Sequence, residues 1–278
     1  MAQSISSLLP SNDGRKIAGP EKSLPYSVYM DKTSDENVSN KRSEGRTDGD
    51  HRKIFLSTGV MTKAKGSAYI EQGGTKIIVG VFGPKEVQRR SDFSVTGSLT
   101  AEFKFAPFAC HKRRVGGQQD REAEELGLVV GEALSSTVCL NKYPKSVIEV
   151  GITVIEDDGG VVAAALTAAG LALADAGIHR FDLVVGVKVG LSGTKDGDVR
   201  VLVDPDKKEE DREPGELTLG YLPSLEQVVC CLCQGVMTST TMSRGLASAT
   251  EAAALVLPAV QQELVSKLKQ NRAKENQK

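Results

Sequence analysis

Two oppositely charged segments hold most of the side chains able to do chemistry. From Lys85 to Arg114, seven basic residues stand against three acids; from Asp204 to Glu216, seven acids stand against three bases. The first segment ends in His111-Lys112-Arg113-Arg114. Lys112, Arg113 and Arg114 are the candidate contacts to a polyanion, because Lys and Arg hold phosphate without reading a sequence, against the more ordinary reading of a solvated basic loop. The second segment offers Asp206, Glu209, Glu210 and Asp211, whose oxygens suit a hard divalent ion. A solvated acidic loop is the more ordinary use of such a run, so no metal site is expected.

The rest of the composition narrows the classes. The formal net charge is −1, so the whole chain is not a generic polyanion binder. Aromatic residues make up 4% and Trp is absent, so the core must be built from Val, Leu, Ile and Ala. The five cysteines (Cys110, Cys139, Cys230, Cys231, Cys233) are odd in number and three crowd one strand-like run, which predicts reduced, buried thiols in an intracellular protein. His51, His111 and His179 are too scattered to complete a zinc site with them. The chain lacks a P-loop, a Rossmann glycine fingerprint and a nucleophile elbow. No run reaches the roughly 18 apolar residues of a membrane span, and the first residues lack the apolar centre of a secretory signal. Neither a cofactor nor a membrane partner is expected.

The elements that must position the charged segments follow from periodicity. Residues 1–50 are polar and predict a flexible tail, 51–270 a folded domain, and 271–278 a polar C-terminal tail. Ser67–Ile70 and Lys76–Phe82 predict the arms of a hairpin turned by Gly73-Gly74, the second arm buried on both faces. Leu99–Phe108 alternates as a third strand. Asp120 is placed to cap a helix whose apolar stripe is Leu126, Val129, Val130, Leu134 and Val138. Ser146–Glu156 predicts a strand, and Val161–Ala176 an Ala-rich helix ended by Gly177. Further strands are expected in DLVVGVKVGL, VRVLVD, ELTLGYLP and LEQVVCCLCQG, then a helix over Met242–Lys269 that Pro258 should kink. The fold class is α+β, with two successive strand–helix–strand passages in weak internal symmetry.

Several of these segments resemble the RNase PH superfamily, which includes bacterial RNase PH, polynucleotide phosphorylase and the ring subunits of the RNA exosome. Arg46-Thr-Asp-Gly49 looks like the family's Arg-x-Asp-Gly-Arg motif, with Asp50 in place of the last Arg. Lys65-Gly-Ser-Ala-Tyr-Ile-Glu, Gly74-Thr-Lys and Gly83-Pro-Lys match its opening hairpin. Ala106-Pro-Phe-Ala, Asp158-Gly-Gly, Ala163–Asp175 and Asp182-Leu-Val-Val-Gly follow in the family's order, so the likeness covers about residues 46 to 268. Lys65-Gly-Ser-Ala-Tyr, Ala106-Pro-Phe and Leu173-Ala-Asp-Ala-Gly look most like an exosome ring subunit. The resemblance implies an RNase PH-like fold of two pseudo-symmetric βαβ-type halves, with sheet packed on helices. It also implies a six-membered ring with other RNase PH-like subunits and RNA-binding cap subunits. Single-stranded RNA would pass through the central channel, in 3′-to-5′ processing and degradation that includes rRNA, in nucleus, nucleolus and cytoplasm.

The resemblance also implies where catalysis would sit. Phosphorolysis brings two anions together, which needs a cationic cradle. Active members carry Arg-Leu-Ile-Gly-Arg-Ser-Leu where this chain has Leu128-Val-Val-Gly-Glu-Ala-Leu, so an Arg becomes Glu132. A unit charge pair at ~4 Å and an effective dielectric near 20 is worth roughly 4 kcal/mol, and reversing its sign about doubles the swing. Asp204 matches the first Asp of the family's acidic run, and its catalytic Asp falls on Glu216. Glu132 and Glu216 are thus degenerate positions, and no catalytic residue is expected. An active phosphate-dependent 3′-to-5′ exoribonuclease is the alternative, and Glu132 is what separates the two.

Overall fold

The computed structural model describes residue 42 and residues 45–87, 94–110, 113–114, 120–193 and 199–275. Two sheets enclose one helix. The first sheet contains β1 (Ile54–Thr58), β2 (Gly66–Gln72), β3 (Thr75–Glu86), β4 (Ser98–Phe105) and β5 (Ser146–Glu156), in the order β1-β2-β3-β5-β4. The second contains β6 (Val185–Gly193), β7 (Val199–Val203), β8 (Gly215–Leu222) and β9 (Gln227–Gly235), in the order β7-β6-β8-β9. Helix α1 (Arg121–Thr137) covers β4, α2 (Val161–Asp175) lies between the sheets, α3 (Lys207–Glu210) is a single turn, and α4 (Ser239–Glu275) covers β6 to β8.

Small side chains explain the central position of α2. Every residue from Ala163 to Leu173 is buried, which only a helix apolar all round tolerates. A glycine from each sheet lets the backbones approach. A Cβ on Gly66 would lie 2.2 Å from the Ala176 nitrogen, and one on Gly186 would lie 2.1 Å from the Ala163 carbonyl oxygen. The helix ends as expected at Gly177, whose φ is +69°.

The opening hairpin folds as its sequence demands. Gly73, at φ +58°, and Gly74 form the two-residue turn, pairing Gln72 with Thr75. The second arm is less enclosed than its apolar run implies: Ile77, Val79 and Val81 are fully buried, but Lys76, Ile78 and Phe82 are only half-buried. Strand β4 runs parallel to β5 with α1 as the crossover, a true βαβ passage. The second sheet is antiparallel throughout its described pairs, so its kinship with the first lies in packing on α2.

Several local expectations need correction. Arg42 and residues 45–50 fall within the expected tail, yet Arg42 is buried and Arg46 bonds the Asp204 carbonyl. Composition missed this because the partners lie more than 150 residues away. Asp120 does occupy the N-cap of α1, but makes no side-chain cap bond; its carboxylate pairs with Arg114 instead. Helix α4 starts at Ser239, contains Pro258 and runs on to Glu275 through a stretch of the expected C-terminal tail. The cysteines are free but not buried: Cys231 and Cys233 are exposed and the others half-buried. Their apolar run predicts a core strand, whereas β9 is the edge of its sheet.

Candidate functional site

Two charge clusters meet where β7, α3 and the start of α2 converge. The first is closed. Strand β7 is followed directly by Asp204, a non-glycine residue at φ +51° whose carboxylate is fully buried. Arg52 grips it with two bonds, Nη2 to Oδ1 at 2.7 Å and Nε to Oδ2 at 3.0 Å, and the Arg52 backbone N–H adds a third at 2.9 Å. The other guanidinium protons go to the carbonyls of Asp158 and Gly159. Burial alone would raise the Asp204 carboxyl; the His51 ring and the Arg52 guanidinium outweigh it and hold the group far below the ordinary carboxylate range. Arg42 acts in the same way beside it. It donates to the Val203 and Asp204 carbonyls at 2.8 and 3.1 Å and to both Glu209 oxygens at 3.2 and 3.0 Å.

Local sequence builds α3 against this cluster. Asp206 accepts from the Glu209 N–H at 2.8 Å, and Glu209 accepts from the Asp206 N–H at 3.1 Å. This is a reciprocal capping box. The acids Asp206 and Glu209 are therefore structural groups. Among the described residues, no group of three or more His, Cys, Asp or Glu converges to hold a metal ion.

The second cluster faces a cleft of about 220 Å³ between the sheets. Lys188, on β6, points its ammonium at Glu210 and Glu216, 2.7 and 2.8 Å away. Glu210 also takes the Gly160 N–H at 2.7 Å and Lys207 at 3.1 Å. Burial would raise the Glu210 carboxyl, but the Lys188 charge and hydrogen bond, with Lys207 and Gly160, bring it below its ordinary value. The first turn of α2 contributes Val161 and Val162 to the wall. A helix start has N–H groups and a positive dipole end suited to phosphate. Here two valines flank it, and four acids (Glu122, Asp157, Glu210, Glu216) share the described lining with only Lys188 and Lys207. Both lysines are already paired with carboxylates.

The expected site residues scatter around this cleft. Glu216 lines it and is held by Lys188. Glu132 is exposed on α1 and is not among the lining residues. Lys112 lies outside the described residues, and Arg113 is exposed. Arg114 lies over the Phe105 ring, 3.9 Å from its centroid, and pairs with Asp120 and, at 2.9 Å, with Glu122. Arg114 is therefore a fixed member of the cleft rim, because Phe105 and Glu122 both line the cleft. Lys188 and Arg52 escaped the sequence reading. A lone Lys inside the apolar run Val185–Leu191 was the available sign, since a buried ammonium demands a carboxylate.

Known proteins match this architecture. Residues 50–179 match the first domain of the RNase PH family, described as a 3′ exoribonuclease family, and residues 182–252 match its second domain. The boundary falls between α2 and β6, where the chain passes from one sheet to the other. An exosome complex component MTR3 from Mus musculus is 39% identical over 238 residues, covering 80% of this chain and 83% of that protein. An exosome complex component Rrp41 from Nitrosopumilus maritimus is 38% identical over 199 residues, covering 71% of this chain and 79% of that protein. The crystal structure of rice (Oryza sativa) Rrp46 superposes with a TM-score of 0.71 at 24% identity, over 80% of this chain and 99% of that one, a likeness of fold. An Archaeoglobus fulgidus exosome with RNA bound to the active site gives a TM-score of 0.67 at 26% identity, over 79% and 92%. Two successive domain matches, in the order and at the boundary the two sheets set, show that this chain belongs to the RNase PH family.

Proposed function

We propose that this chain is a non-catalytic ring subunit of an RNA exosome. In this reading it joins other RNase PH-like subunits and RNA-binding cap subunits around a channel for single-stranded RNA. The complex would serve 3′-to-5′ RNA processing and degradation, rRNA included, in the nucleus, nucleolus and cytoplasm. Exosome components among its relatives support membership of the complex.

The observation that carries the non-catalytic reading is the cleft. Inorganic phosphate attacking an RNA phosphate needs unpaired cations and N–H donors. The described lining instead offers two valines at the helix start, four carboxylates and two lysines already bound to carboxylates. Glu132 supports the reading less directly, because it stands outside this cleft. The test is to incubate the purified chain with single-stranded RNA, Mg²⁺ and inorganic phosphate and follow nucleoside diphosphate. The expected result is no release, with Glu132→Arg also silent. Phosphate-dependent release from the unmodified chain would make it an enzyme.

RNA contact in this proposal rests on Lys112, Arg113 and Arg114, of which Arg114 is also held by Asp120 and Glu122. Replacing Lys112 and Arg113 by Ala should weaken RNA binding by an assembled ring and lower the salt slope by about one for each phosphate no longer neutralised. Arg114→Ala should also disturb the start of α1, because it releases Asp120 and Glu122. An unchanged salt slope in the Lys112/Arg113 variant removes the loop from the RNA path.

A further inference from the structure

A pair of thiols on β9 has no role in the cleft. Cys231 and Cys233 are two residues apart on one strand, so both point to the same face. Across the pairing to β8 they stand opposite Leu219 and Leu217, which are fully buried. The intervening Leu232 faces the other way and lines the cleft. No described strand pairs with the outer edge of β9, and Cys231 and Cys233 are exposed, unoxidised and 3.8 Å apart, sulfur to sulfur.

We propose that Cys231 and Cys233 form a two-thiolate chelation site for thiophilic ions, the chemistry shared by trivalent arsenicals and monovalent copper. Soft sulfur ligands select soft ions. Two sulfurs bonded to one ion at about 2.3 Å stand about 3.3 Å apart at the near-right angle of trivalent arsenic and about 4.6 Å apart at the linear angle of two-coordinate monovalent copper. The 3.8 Å the strand already holds lies between the two, within reach of either by a small side-chain rotation. A disulfide fits the same pair poorly. Two residues of extended strand span about 6.8 Å, the outer limit for bridged Cα atoms, so closing the sulfurs to bonding distance would bend β9.

The Cys231 thiol is protonated at neutral pH. Burial, and then the neighbouring Cys233, push the Cys231 thiol up to about 11. Cys231 is therefore not a standing nucleophile, and an incoming ion has to displace its proton. With an arsine oxide the balance is simple. Two As–S bonds form, the As–O bond breaks, and the oxygen leaves as water with both thiol protons. Arsenic stays trivalent and neither sulfur is oxidised.

The site is independent of the ring reading and is tested on the purified full chain kept reduced. In one arm the chain is treated with phenylarsine oxide, then examined by intact mass and thiol titration. One arsenical per chain is expected, with two thiols lost, released by a dithiol but not by excess monothiol. In the other arm monovalent copper is added without oxygen, in competition with a chromophoric chelator, and one copper per chain is expected. Cys231→Ser and Cys233→Ser should each weaken retention about tenfold or more, because a single sulfur loses the effective concentration of the second. Cys139→Ser should retain both ions, and any effect on folding is read from its circular dichroism. Binding of only one of the two ions keeps the site and identifies its ion. An adduct that a monothiol reverses in the unmodified chain, or full retention in either β9 Ser variant, overturns the proposal.

Discussion

The two charge clusters beside α3 use the same residue types to opposite ends. Around Asp204 the ions are sealed: its carboxylate is fully buried, and the side chains of Arg42 and Arg52 are 2% and 4% exposed. Around Lys188 the ions face a cleft, and Glu216 retains 26% exposure. The sealed cluster ties distant pieces of chain together: Arg42 and Arg52, the residues that follow β7 and the loop before α2. The open cluster ties β6 to α3 and β8 while neutralising the only described cations in the cleft. Paired charge thus fixes the fold in one place and, in the proposed reading, removes the chemistry in the other.

The comparison breaks most readily at Arg52. Removing one partner from a sealed pair leaves the other charge buried and unpaired, which costs roughly 3–5 kcal/mol. Arg52→Ala should lower the unfolding free energy by that amount with little change in denaturant slope, as measured by urea unfolding. A loss under about 1 kcal/mol would mean that water reaches Asp204 and that the cluster is not sealed.

Lys188 comes next. Its ammonium serves two glutamates, but one is partly open to water, so Lys188→Met should cost less than Arg52→Ala, roughly 2–3 kcal/mol. Without the lysine, Glu210 loses its main cation and its carboxyl should titrate higher, so some of the lost stability should return as the pH falls toward 5. The variant should not bind inorganic phosphate, since it makes the cleft more negative. A Lys188→Met protein as stable as the parent would show the open cluster to be an ordinary surface network.

Acid acts on both clusters with the same sign. The carboxyls of Asp204 and Glu210 both sit below their ordinary values in the folded chain. Such groups contribute stability that is fully present above the unfolded value, about 4 for these side chains, and is lost as the pH falls toward the folded value. The melting temperature should therefore decline below about pH 4. Asp204→Asn should begin less stable at pH 7 and decline less steeply through that window. Parallel curves for the two proteins would show that other carboxylates govern the acid transition.

The sealed cluster was the least legible region of the sequence, and the reason is physical. Hairpins and helices show their period within a dozen residues, so β2, β3, β5 and α2 could be placed from Gly66–Thr75, Ser146–Glu156 and Val161–Gly177 alone. Arg42 and Arg52 owe their order to Glu209 and Asp204, more than 150 positions along the chain, and no local pattern carries that pairing. The cysteine run was misread for a related reason. An apolar strand has the same composition at a sheet's centre and at its edge, and only the strand order showed that no described strand pairs with the outer edge of β9. The cleft was half legible: Glu216 was identified through family resemblance, while Lys188 and the valines at the start of α2 needed the fold to bring them together.

The smallest expected effect completes the scale. Lys85 and Glu149 pair across β3 and β5 with both side chains about half exposed, 53% and 51%. Water already solvates each charge, so the pair gains little from contact, and salt screens what remains. Lys85→Ala should change stability by no more than about 0.5 kcal/mol, and by less at ionic strengths well above 0.15 M. Arg52→Ala should hold its penalty at the same salt, because a sealed pair is screened far less. If salt erased both penalties alike, burial would not be what distinguishes the sealed cluster from the surface. If it erased only the Lys85 penalty, burial would be the variable that decides what a charge pair does in this fold.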